Sequence, residues 1–367
     1  MVKVKKIKVL LEPTKLAFER RAVLNPAVYR DGKYVHLFYR AIDKRGRSSI
    51  GYALLKGPTK VIKRWKKPII PRQFSYESKG VEDPRIVKLG KLFYLFYTAH
   101  DGKNALIAYA TSKNLKKFKK RGVISAQITY DEAEDIFRRS HLKDRYFFFE
   151  SYYKDVAGKD VLLWEKDGLL FPKKIRGKYA LIHRVLPDIQ VIYFDDFRQL
   201  KDKAFWKKYL KDLAKFVILE NRYWYESRNI GGGAPPIETK HGWLFIYHAV
   251  EDSNHGRIYH AGAALLAKSN PTRVIGHLYE PLFSPQKSWE KRGEVGNVVF
   301  PTGTAVFGGN LYIYYGAADK RIAVARVKGG GGPLRRGEWG GACPPPPSRA
   351  KGVTAFSGGR GVLAEPA

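Results

Sequence analysis

The chain has 367 residues, enough for one large domain or two ordinary ones, and 44% of them are hydrophobic, which excludes a wholly disordered protein. Its 68 lysines and arginines against 34 aspartates and glutamates give a formal net charge of +34. No apolar run reaches the roughly 18 residues that cross a bilayer, and the first residues carry no signal-peptide pattern. The only cysteine is Cys343, which excludes an internal disulfide and a cysteine-based zinc site. We therefore expect a soluble cytoplasmic protein with no membrane partner.

The positive charge is spread along the chain rather than concentrated in one segment. The densest cluster, Lys116–Arg121, is brief and typical of a solvated turn. A nucleic-acid groove would need a continuous basic patch, whereas a lysine-rich chain with one methionine and one cysteine is typical of thermophile proteins. The pattern favours diffuse surface charge and no nucleic-acid partner.

A strand-like phrase recurs along the chain: a turn with glycine or aspartate, then aromatic and aliphatic residues, then a polar or small residue. β-branched and aromatic residues between such turns predict β-strands. Most copies are followed by a stretch rich in small residues, which suits a crowded position where sheets converge. In chain order the phrases are Gly32–Ala41, Gly90–Ala99, Asp144–Ser151, Gly177–Arg184, Gly242–Ala249 and Gly309–Gly316.

The spacing of these phrases predicts the architecture. The first two begin 58 residues apart, at Gly32 and Gly90, and a repeat of this length with several strands per unit is typical of a β-propeller. The third and fourth phrases lie closer together and are counted as one unit. The sequence therefore predicts an all-β, five-bladed β-propeller over residues 1–328, with a β-sandwich with long loops as the alternative.

Two segments depart from the strand pattern. Apolar residues at helical spacing over Asp202–Phe216 predict a short helical insertion. Over residues 329–367 glycine and proline dominate and the apolar periodicity stops. That composition predicts a disordered tail, or the product of a shifted reading frame. Function is therefore sought in residues 1–328.

Several strand-like phrases end in residues that are poor core fillers. In a propeller the strand ends surround a central channel, so the ring symmetry would bring these residues to one face. They are Arg40, Glu150, Arg184, His248 and Asp319. Such a channel is a natural pocket for a sugar.

Two adjacent carboxylates precede the second phrase. Glu82 and Asp83 stand directly before Pro84, and Arg85 follows. A carboxyl group in a partly apolar pocket acts as a general acid in many enzymes. An Asp-Pro turn with a surface ion pair is the alternative for this motif taken alone.

Together these motifs resemble glycoside hydrolase family 130, the family of β-mannoside phosphorylases and β-1,2-mannosidases, and the resemblance implies a five-bladed β-propeller. It runs in the same order over about residues 20–327. The segments that carry it are Ala22–Ala27, Phe38–Ala41, Glu82–Arg85, Lys166–Pro172, His183–Arg184, Glu226–Ile237, Tyr247–His248, Asn297–Gly303 and Tyr315–Asp319.

The resemblance implies an inverting enzyme that transfers a terminal mannosyl group from a β-1,2- or β-1,4-linked manno-oligosaccharide to inorganic phosphate, giving mannose 1-phosphate. Asp83 matches the proton donor, whose proton passes through a sugar hydroxyl. Phosphate, which needs several cationic donors, is the co-substrate; no cofactor and no metal are expected, and a homo-oligomer is possible. The residues assigned to the sugar are Asn25, Glu82, Arg85 and Asp319, and those assigned to phosphate are Arg40, Arg184, His248 and Asn229.

Asn229 is a departure from the family pattern. Many family phosphorylases have a lysine there that helps bind phosphate, and the adjacent Arg228 would point to the opposite face of a strand. The family's hydrolases lack part of the cationic set and use a carboxylate to activate water. Glu226 is the candidate for that base, and a structural hydrogen-bond acceptor is its alternative role.

Three readings of the function follow. The three remaining basic positions favour phosphorolysis slightly over hydrolysis by an inverting β-1,2-mannosidase. A non-catalytic carbohydrate-binding propeller is the remoter alternative, and Asp83→Asn separates it from an enzyme because only an enzyme would lose turnover.

Overall fold

The structure is a computed structural model that describes residues 2–158 and 160–329. The tail predicted for residues 329–367, with Cys343, lies outside the described residues from residue 330 onward. The described chain is built mainly of antiparallel β-strands. This agrees with the predicted all-β class.

The strands group into five consecutive units, each of which begins with a strand buried along most of its length. Units 1 and 2 are joined by one parallel bridge, between Ser48 and Gly80, so their strands form a single sheet. The first strand of the chain is β1 (Val4–Leu11). The other strands are β2 (Ala22–Asp31), β3 (Tyr34–Ile42), β4 (Ser48–Lys56) and β5 (Lys60–Arg64) in unit 1; β6 (Gly80–Leu89), β7 (Leu92–His100), β8 (Ala105–Ser112) and β9 (Lys119–Val123) in unit 2; β10 (Lys166–Leu170), β11 (Tyr179–Arg184), β12 (Ile189–Phe194) and β13 (Val217–Leu219) in unit 3; β14 (Asn229–Gly232), β15 (Ile237–Glu238), β16 (Trp243–Ser253), β17 (Gly256–Leu266) and β18 (Val274–His277) in unit 4; and β19 (Val299–Phe307), β20 (Asn310–Ala317) and β21 (Arg321–Val327) in unit 5.

Strand β1 belongs to the last unit rather than to the first. It pairs antiparallel with β21, from Val4 opposite Val327 to Leu11 opposite Ile322. Unit 5 therefore has four strands, in the order β1-β21-β20-β19, and the two ends of the described chain meet in one sheet.

The helices lie between strands. They are α1 (Tyr130–Phe137), α2 (Asp144–Ala157), α3 (Lys203–Lys211) and α4 (Ser288–Lys291), with 3₁₀ turns at Ala17–Glu19, Ser75–Glu77, Gln199–Lys201, Leu213–Phe216 and Trp224–Glu226. Helix α3 and the 3₁₀ turn after it fall in the insertion predicted at Asp202–Phe216. In the described part of the chain, no helix is both long and apolar enough to cross a bilayer.

The strand predicted at Asp144–Ser151 is wrong, because this segment is the first half of α2. Its aromatic residues imitate a strand, but Tyr146, Phe149 and Tyr153 are the buried ones and recur at helical spacing. These three side chains pack against α1 in one buried cluster. Helix α1 begins after Thr129, which forms a capping box with Glu132. Five units remain once this phrase is removed.

Each unit carries one fully buried glutamate in the segment that precedes its first strand. In four units it lies in a short helix or 3₁₀ turn, and in unit 3 it directly precedes β10. These five residues, the clasp glutamates, accept or share a hydrogen bond with a tyrosine hydroxyl or imidazole on the partner strand, which is the strand that pairs with the first strand of the same unit (β3, β7, β11, β16 and β20). The pairs are Glu19 with Tyr39, Glu77 with Tyr97, Glu165 with His183, Glu226 with Tyr247, and Glu290 with Tyr315.

The hydrophobic core is divided among the spaces between successive units. Separate buried clusters join units 1 and 2, units 2 and 3, units 3 and 4, and units 4 and 5. A fifth cluster joins unit 5 back to unit 1, through Tyr314 and Val324 against Val28 and Leu37. The described chain has four hydrogen-bonded sheets rather than the two of a sandwich.

Candidate active site

The first strands of units 1 to 3 each carry a polar residue with left-handed backbone. The φ angles are 46° at Asn25, 45° at Asp83 and 58° at Asp167. Each residue lies at an irregularity in the pairing of its strand with the next one. Asparagine and aspartate tolerate this conformation better than other non-glycine residues, and the bulge re-aims each side chain. Repetition of the same local structure thus presents one polar group from each of three units.

Asp83 is buried and held by two neighbours. Asn25 Nδ2 donates a 2.8 Å hydrogen bond to its Oδ1, and Arg40 Nη1 lies 3.6 Å from the same oxygen. A side chain on Gly316 would collide with Asn25 Oδ1 at 2.2 Å, so a glycine is required there. The carboxyl of Asp83 thus has a fixed orientation.

Asp319, just after β20, lies close enough to Arg40 and Asp83 for their charges to act on its carboxyl group. Burial raises the pKa of Asp319 to about 7, an effect that Asp83 reinforces and Arg40 opposes. A carboxyl group in this state is half protonated near neutral pH and is able to donate a hydrogen bond to a sugar hydroxyl.

The residue that directly follows each clasp tyrosine or histidine occupies the same position in every unit, on the strand that pairs with the first strand. In chain order these residues are Arg40, Thr98, Arg184, His248 and Gly316. Three of the five are basic, and all three are at least nine-tenths buried. The clasp therefore fixes the strand one residue away from three of the four predicted phosphate ligands, Arg40, Arg184 and His248.

Arg184 and His248 come together on one carboxylate. Arg184 Nε lies 3.1 Å from Asp167 Oδ2, and His248 Nε2 lies 3.9 Å from the same atom and 3.5 Å from Arg184 Nη1. Phe300 stacks on the imidazole with ring centroids 4.2 Å apart. A Cβ on Gly231 would lie 2.3 Å from His248 Cε1, so this glycine makes room for the imidazole.

Arg85 links the two aspartates, although the sequence assigned it to the sugar. It is 1% exposed, and its Nη1 donates to the Asp83 carbonyl at 2.8 Å while its Nη2 lies 3.2 Å from Asp167 Oδ1. Its other hydrogen bonds go to the carbonyls of Gly232, Gly233 and, at 3.5 Å, Pro84. This geometry suits a residue that positions Asp83 and Asp167 rather than one that contacts substrate.

Glu82 is also occupied by protein partners. Its Oε1 accepts from Arg40 Nη2 at 2.7 Å and from the Ser48 hydroxyl at 3.3 Å. The guanidinium of Arg40 thus lies between Glu82 and Asp83. A buried arginine held in this way has a set direction toward any anion in the site.

Asn229 is buried at the start of β14, two residues before Gly231. Side chains alternate along a strand, so positions 229 and 231 face the same side of β14. His248 fills the space beside Gly231, and Asn229 therefore faces the side on which His248 lies. Arg228 points elsewhere: its Nη1 lies 3.3 Å from Asp252, and its guanidinium lies over Phe149.

Two predicted residues are not brought to this cluster. Glu226 is a clasp glutamate whose Oε1 accepts from Tyr247 and lies 3.0 Å from His277 Nε2, and whose Oε2 accepts from two backbone amides. Glu150 lies on α2, where burial raises its pKa and Lys154 Nζ is 3.8 Å away. Its expected position at a strand end is wrong, because the segment is helical.

Asp167 is the residue that sequence reasoning missed. The segment Lys166–Pro172 was used for the resemblance, but its aspartate was given no role. The available signal was a repeated dipeptide, because Asn25-Pro26, Asp83-Pro84 and Asp167-Gly168 all pair a polar residue with a turn former at the start of a unit. Over residues 2–158 and 160–329, no group of three histidine, cysteine, aspartate or glutamate side chains could hold a metal ion.

Comparison with known sequences gives a consistent result. The model of glycoside hydrolase family 130, described as beta-1,4-mannooligosaccharide phosphorylase, matches residues 5–162 and 149–329. A 1,2-beta-oligomannan phosphorylase of Thermoanaerobacter sp. is 36% identical over 338 residues, which are 89% of this chain and 97% of that protein. A beta-1,2-mannobiose phosphorylase of the same organism is 33% identical, over 88% of this chain and 95% of its own length.

Solved structures share the fold. The beta-1,2-mannobiose phosphorylase of Listeria innocua, in complex with beta-1,2-mannobiose, superposes with a TM-score of 0.66 at 22% identity, covering 89% of this chain and 96% of its own. A structure described under the family's glycoside hydrolases that target beta-1,2 mannosidic linkages in Candida mannan gives a TM-score of 0.71 at 24% identity, covering 95% and 97%.

Proposed function

The chain belongs to glycoside hydrolase family 130, and we propose that it is an inverting phosphorylase that transfers the terminal mannosyl group of a β-1,2-linked oligomannan to inorganic phosphate. The linkage is taken from the two full-length relatives, both named for β-1,2-mannoside phosphorolysis. The products are mannose 1-phosphate and an oligomannan one residue shorter.

One observation carries this proposal: two basic side chains meet beside a carboxylate that is joined to Asp83 by a single guanidinium. Arg184 and His248 approach Asp167 Oδ2, while Arg85 binds both Asp167 and the Asp83 carbonyl. An anion site and a candidate acid are thus only one side chain apart. Phosphate recognition relies on such converging charged donors.

We also propose that the five units close into a five-bladed β-propeller. Contacts between the first strands support this arrangement, because β2 contacts β6, β6 contacts β10, β10 contacts β14 and β19 contacts β2. The core cluster between units 5 and 1 and the pairing of β1 with β21 support closure at the chain ends. In such a ring the polar residues of the first strands surround one channel.

The proposed reaction is a single displacement at C1 of the mannosyl group. The bond between mannose C1 and the leaving oxygen breaks, and a phosphate oxygen forms the new bond to C1 from the opposite face. Asp83 gives its proton, through a sugar hydroxyl, to the leaving oxygen and recovers one from the phosphate. Asn25 orients the Asp83 carboxyl, and Asp319 binds a mannose hydroxyl.

Hydrolysis is the second candidate, and Asn229 is the observation that favours it, because this position lacks the cation expected of a phosphorylase. The expected base, Glu226, gives hydrolysis little support. It is fully buried, and its two oxygens already accept or share four hydrogen bonds. Phosphate therefore remains the better supported nucleophile.

The deciding experiment supplies β-1,2-mannobiose with and without inorganic phosphate. A phosphorylase yields mannose 1-phosphate and one mannose per turnover, and it is nearly inactive without phosphate. Rapid release of mannose in phosphate-free buffer would overturn phosphorolysis in favour of hydrolysis. Binding of mannoside without turnover in either buffer would point to a non-catalytic propeller.

A further inference from the structure

Trp224 is a large aromatic residue at a position where the fold does not require one. It lies two residues before the clasp glutamate of unit 4 and is 52% exposed. The corresponding residues of the other units are Ala17, Ser75, Leu163 and Ser288. Small residues therefore satisfy this position in three of the other four units, so packing alone does not explain an exposed indole.

The indole of Trp224 packs against two other rings, those of Tyr225 and His260. Its ring is perpendicular to those of Tyr225 and His260, with centroids 5.7 and 5.6 Å apart. His260 is itself held at both ring nitrogens, by Glu251 Oε2 at 3.0 Å and Ser284 Oγ at 2.8 Å. An aromatic surface that is rigid before binding loses little entropy when a ligand packs on it.

This surface lies beside the contribution of unit 4 to the active site. The 3₁₀ turn that carries Trp224 leads into β14 and Asn229, and His260 pairs with Ala249, the neighbour of His248. Strand β16 continues five residues beyond His248, to Ser253, which is about 16 Å. By contrast, β3 and β7 continue only two residues beyond Arg40 and Thr98.

The β16–β17 hairpin therefore extends further beyond its site residue than β3 and β7 do, and Glu251 lies on this extension. The Glu251 side chain is 21% exposed, and one of its oxygens is bound to His260. A carboxylate beside a flat aromatic ring matches a sugar, because the ring packs on the apolar C–H face of a pyranose while the carboxylate accepts hydroxyl hydrogen bonds.

Resting on the proposed function, we infer that Trp224 and Glu251 form an outer subsite that binds a mannosyl residue of a longer oligomannan, distant from the bond that is cleaved. The enzyme then prefers oligomannans over mannobiose, because only the longer chains reach the indole.

The test compares β-1,2-mannobiose with β-1,2-mannotetraose in the wild type, Trp224→Ala and Trp224→Phe. Removing an aromatic contact of this kind lowers kcat/KM about three- to tenfold, and we expect that loss for mannotetraose only. Trp224→Phe should recover part of it. Activity on mannobiose within about twofold of the wild type shows that the variants are folded.

Phe74→Ala is the matched control, because Phe74 is 41% exposed and precedes the corresponding 3₁₀ turn of unit 2. It should not alter the ratio of kcat/KM between the two substrates. Equal losses on both substrates in Trp224→Ala, or the same change of ratio in Phe74→Ala, would overturn the subsite. If the chain proves to be a hydrolase, mannose release reports the same ratio, so that failure of the proposed function is distinguished from failure of the subsite.

Discussion

Asn25 and Asp83, 58 residues apart in sequence, occupy the same bulged position in consecutive units and are joined by a 2.8 Å hydrogen bond from Nδ2 to Oδ1. The repeat thus supplies both the proposed acid and the group that orients it. Because Oδ1 accepts the hydrogen bond from Asn25, we expect Oδ2 to be the oxygen that transfers the proton in the proposed reaction.

Replacing Asp83 by asparagine should remove turnover and leave binding largely intact. The amide keeps the shape of the side chain but has no acidic proton, and loss of a general acid lowers rates by about 10²- to 10⁴-fold. Release of mannose 1-phosphate measures the rate, and calorimetry measures mannobiose binding. A variant with more than a tenth of wild-type kcat would contradict the role of Asp83.

Asn25→Asp should shift the pH–rate profile to higher pH. A second carboxylate at this position adds negative charge to the site, which disfavours loss of a further proton there, so the alkaline limb of kcat/KM should move upward. Asn25→Ala, which adds no charge, is the control and should shift the limb less. Identical profiles in both variants would argue against contact with the acid.

Arg184→Ala should raise the KM for phosphate by about ten- to a hundredfold, the range expected when a charged hydrogen bond is lost. The KM for mannobiose should change by less than about threefold. Arg228→Ala is a matched control, because that guanidinium pairs with Asp252 away from the cluster. Parallel increases in both KM values would show that Arg184 does not act on phosphate selectively.

Asp319 should make the protein less stable as pH rises. Its pKa is raised to about 7 by burial, so between about pH 4 and pH 7 the folded state binds more protons than the unfolded state, and the free energy of unfolding falls through this range. Asp319→Asn should flatten the dependence of Tm on pH there. A variant whose Tm still follows the wild-type slope would place the titrating group elsewhere.

Glu226→Gln tests whether this residue is a base or a clasp. As a clasp it should cost about 1–3 kcal/mol of stability and leave the dependence on phosphate unchanged. Glu290→Gln, the corresponding change in unit 5, should behave alike because Glu290 has the same kind of tyrosine partner. Selective loss of phosphate-free mannose release in Glu226→Gln alone would instead identify a catalytic base.

The sequence predicted the strand class because aromatic and β-branched runs between turns depend on local chemistry alone. It misread Asp144–Ser151, where Tyr146 and Phe149 are spaced for a helix but sit in a run of aromatics that also suits a strand. Only the packing of α2 against α1 distinguishes a helix from a strand in this segment, and that packing is a tertiary contact.

A local signal for the clasp glutamates was present but not used. An aromatic residue followed by glutamate occurs seven times in the sequence: twice outside the clasps, at Phe149-Glu150 and Tyr279-Glu280, and at the five clasps Phe18-Glu19, Tyr76-Glu77, Trp164-Glu165, Tyr225-Glu226 and Trp289-Glu290. The five clasp glutamates are fully buried. Had Glu226 been compared with these counterparts, its structural role would have been the first interpretation.

The individual site residues were less predictable than the fold. Arg85 looks like a substrate ligand in sequence, yet its hydrogen bonds to Gly232 and Gly233 depend on a segment almost 150 residues away. The Asp167 carboxylate is positioned by ion pairs with Arg85 and Arg184, which belong to different units. Such contacts arise only after the units assemble.

The pairing of β1 with β21 also sets the timing of assembly. On a ribosome, Val4 emerges early but has no partner until Val327 has been made, so an unpaired edge strand is exposed while most of the chain is synthesised. Moving β1 to follow β21 through a short added linker would give that strand its neighbour at once. Such a rearranged gene should produce a protein that refolds faster and aggregates less during synthesis.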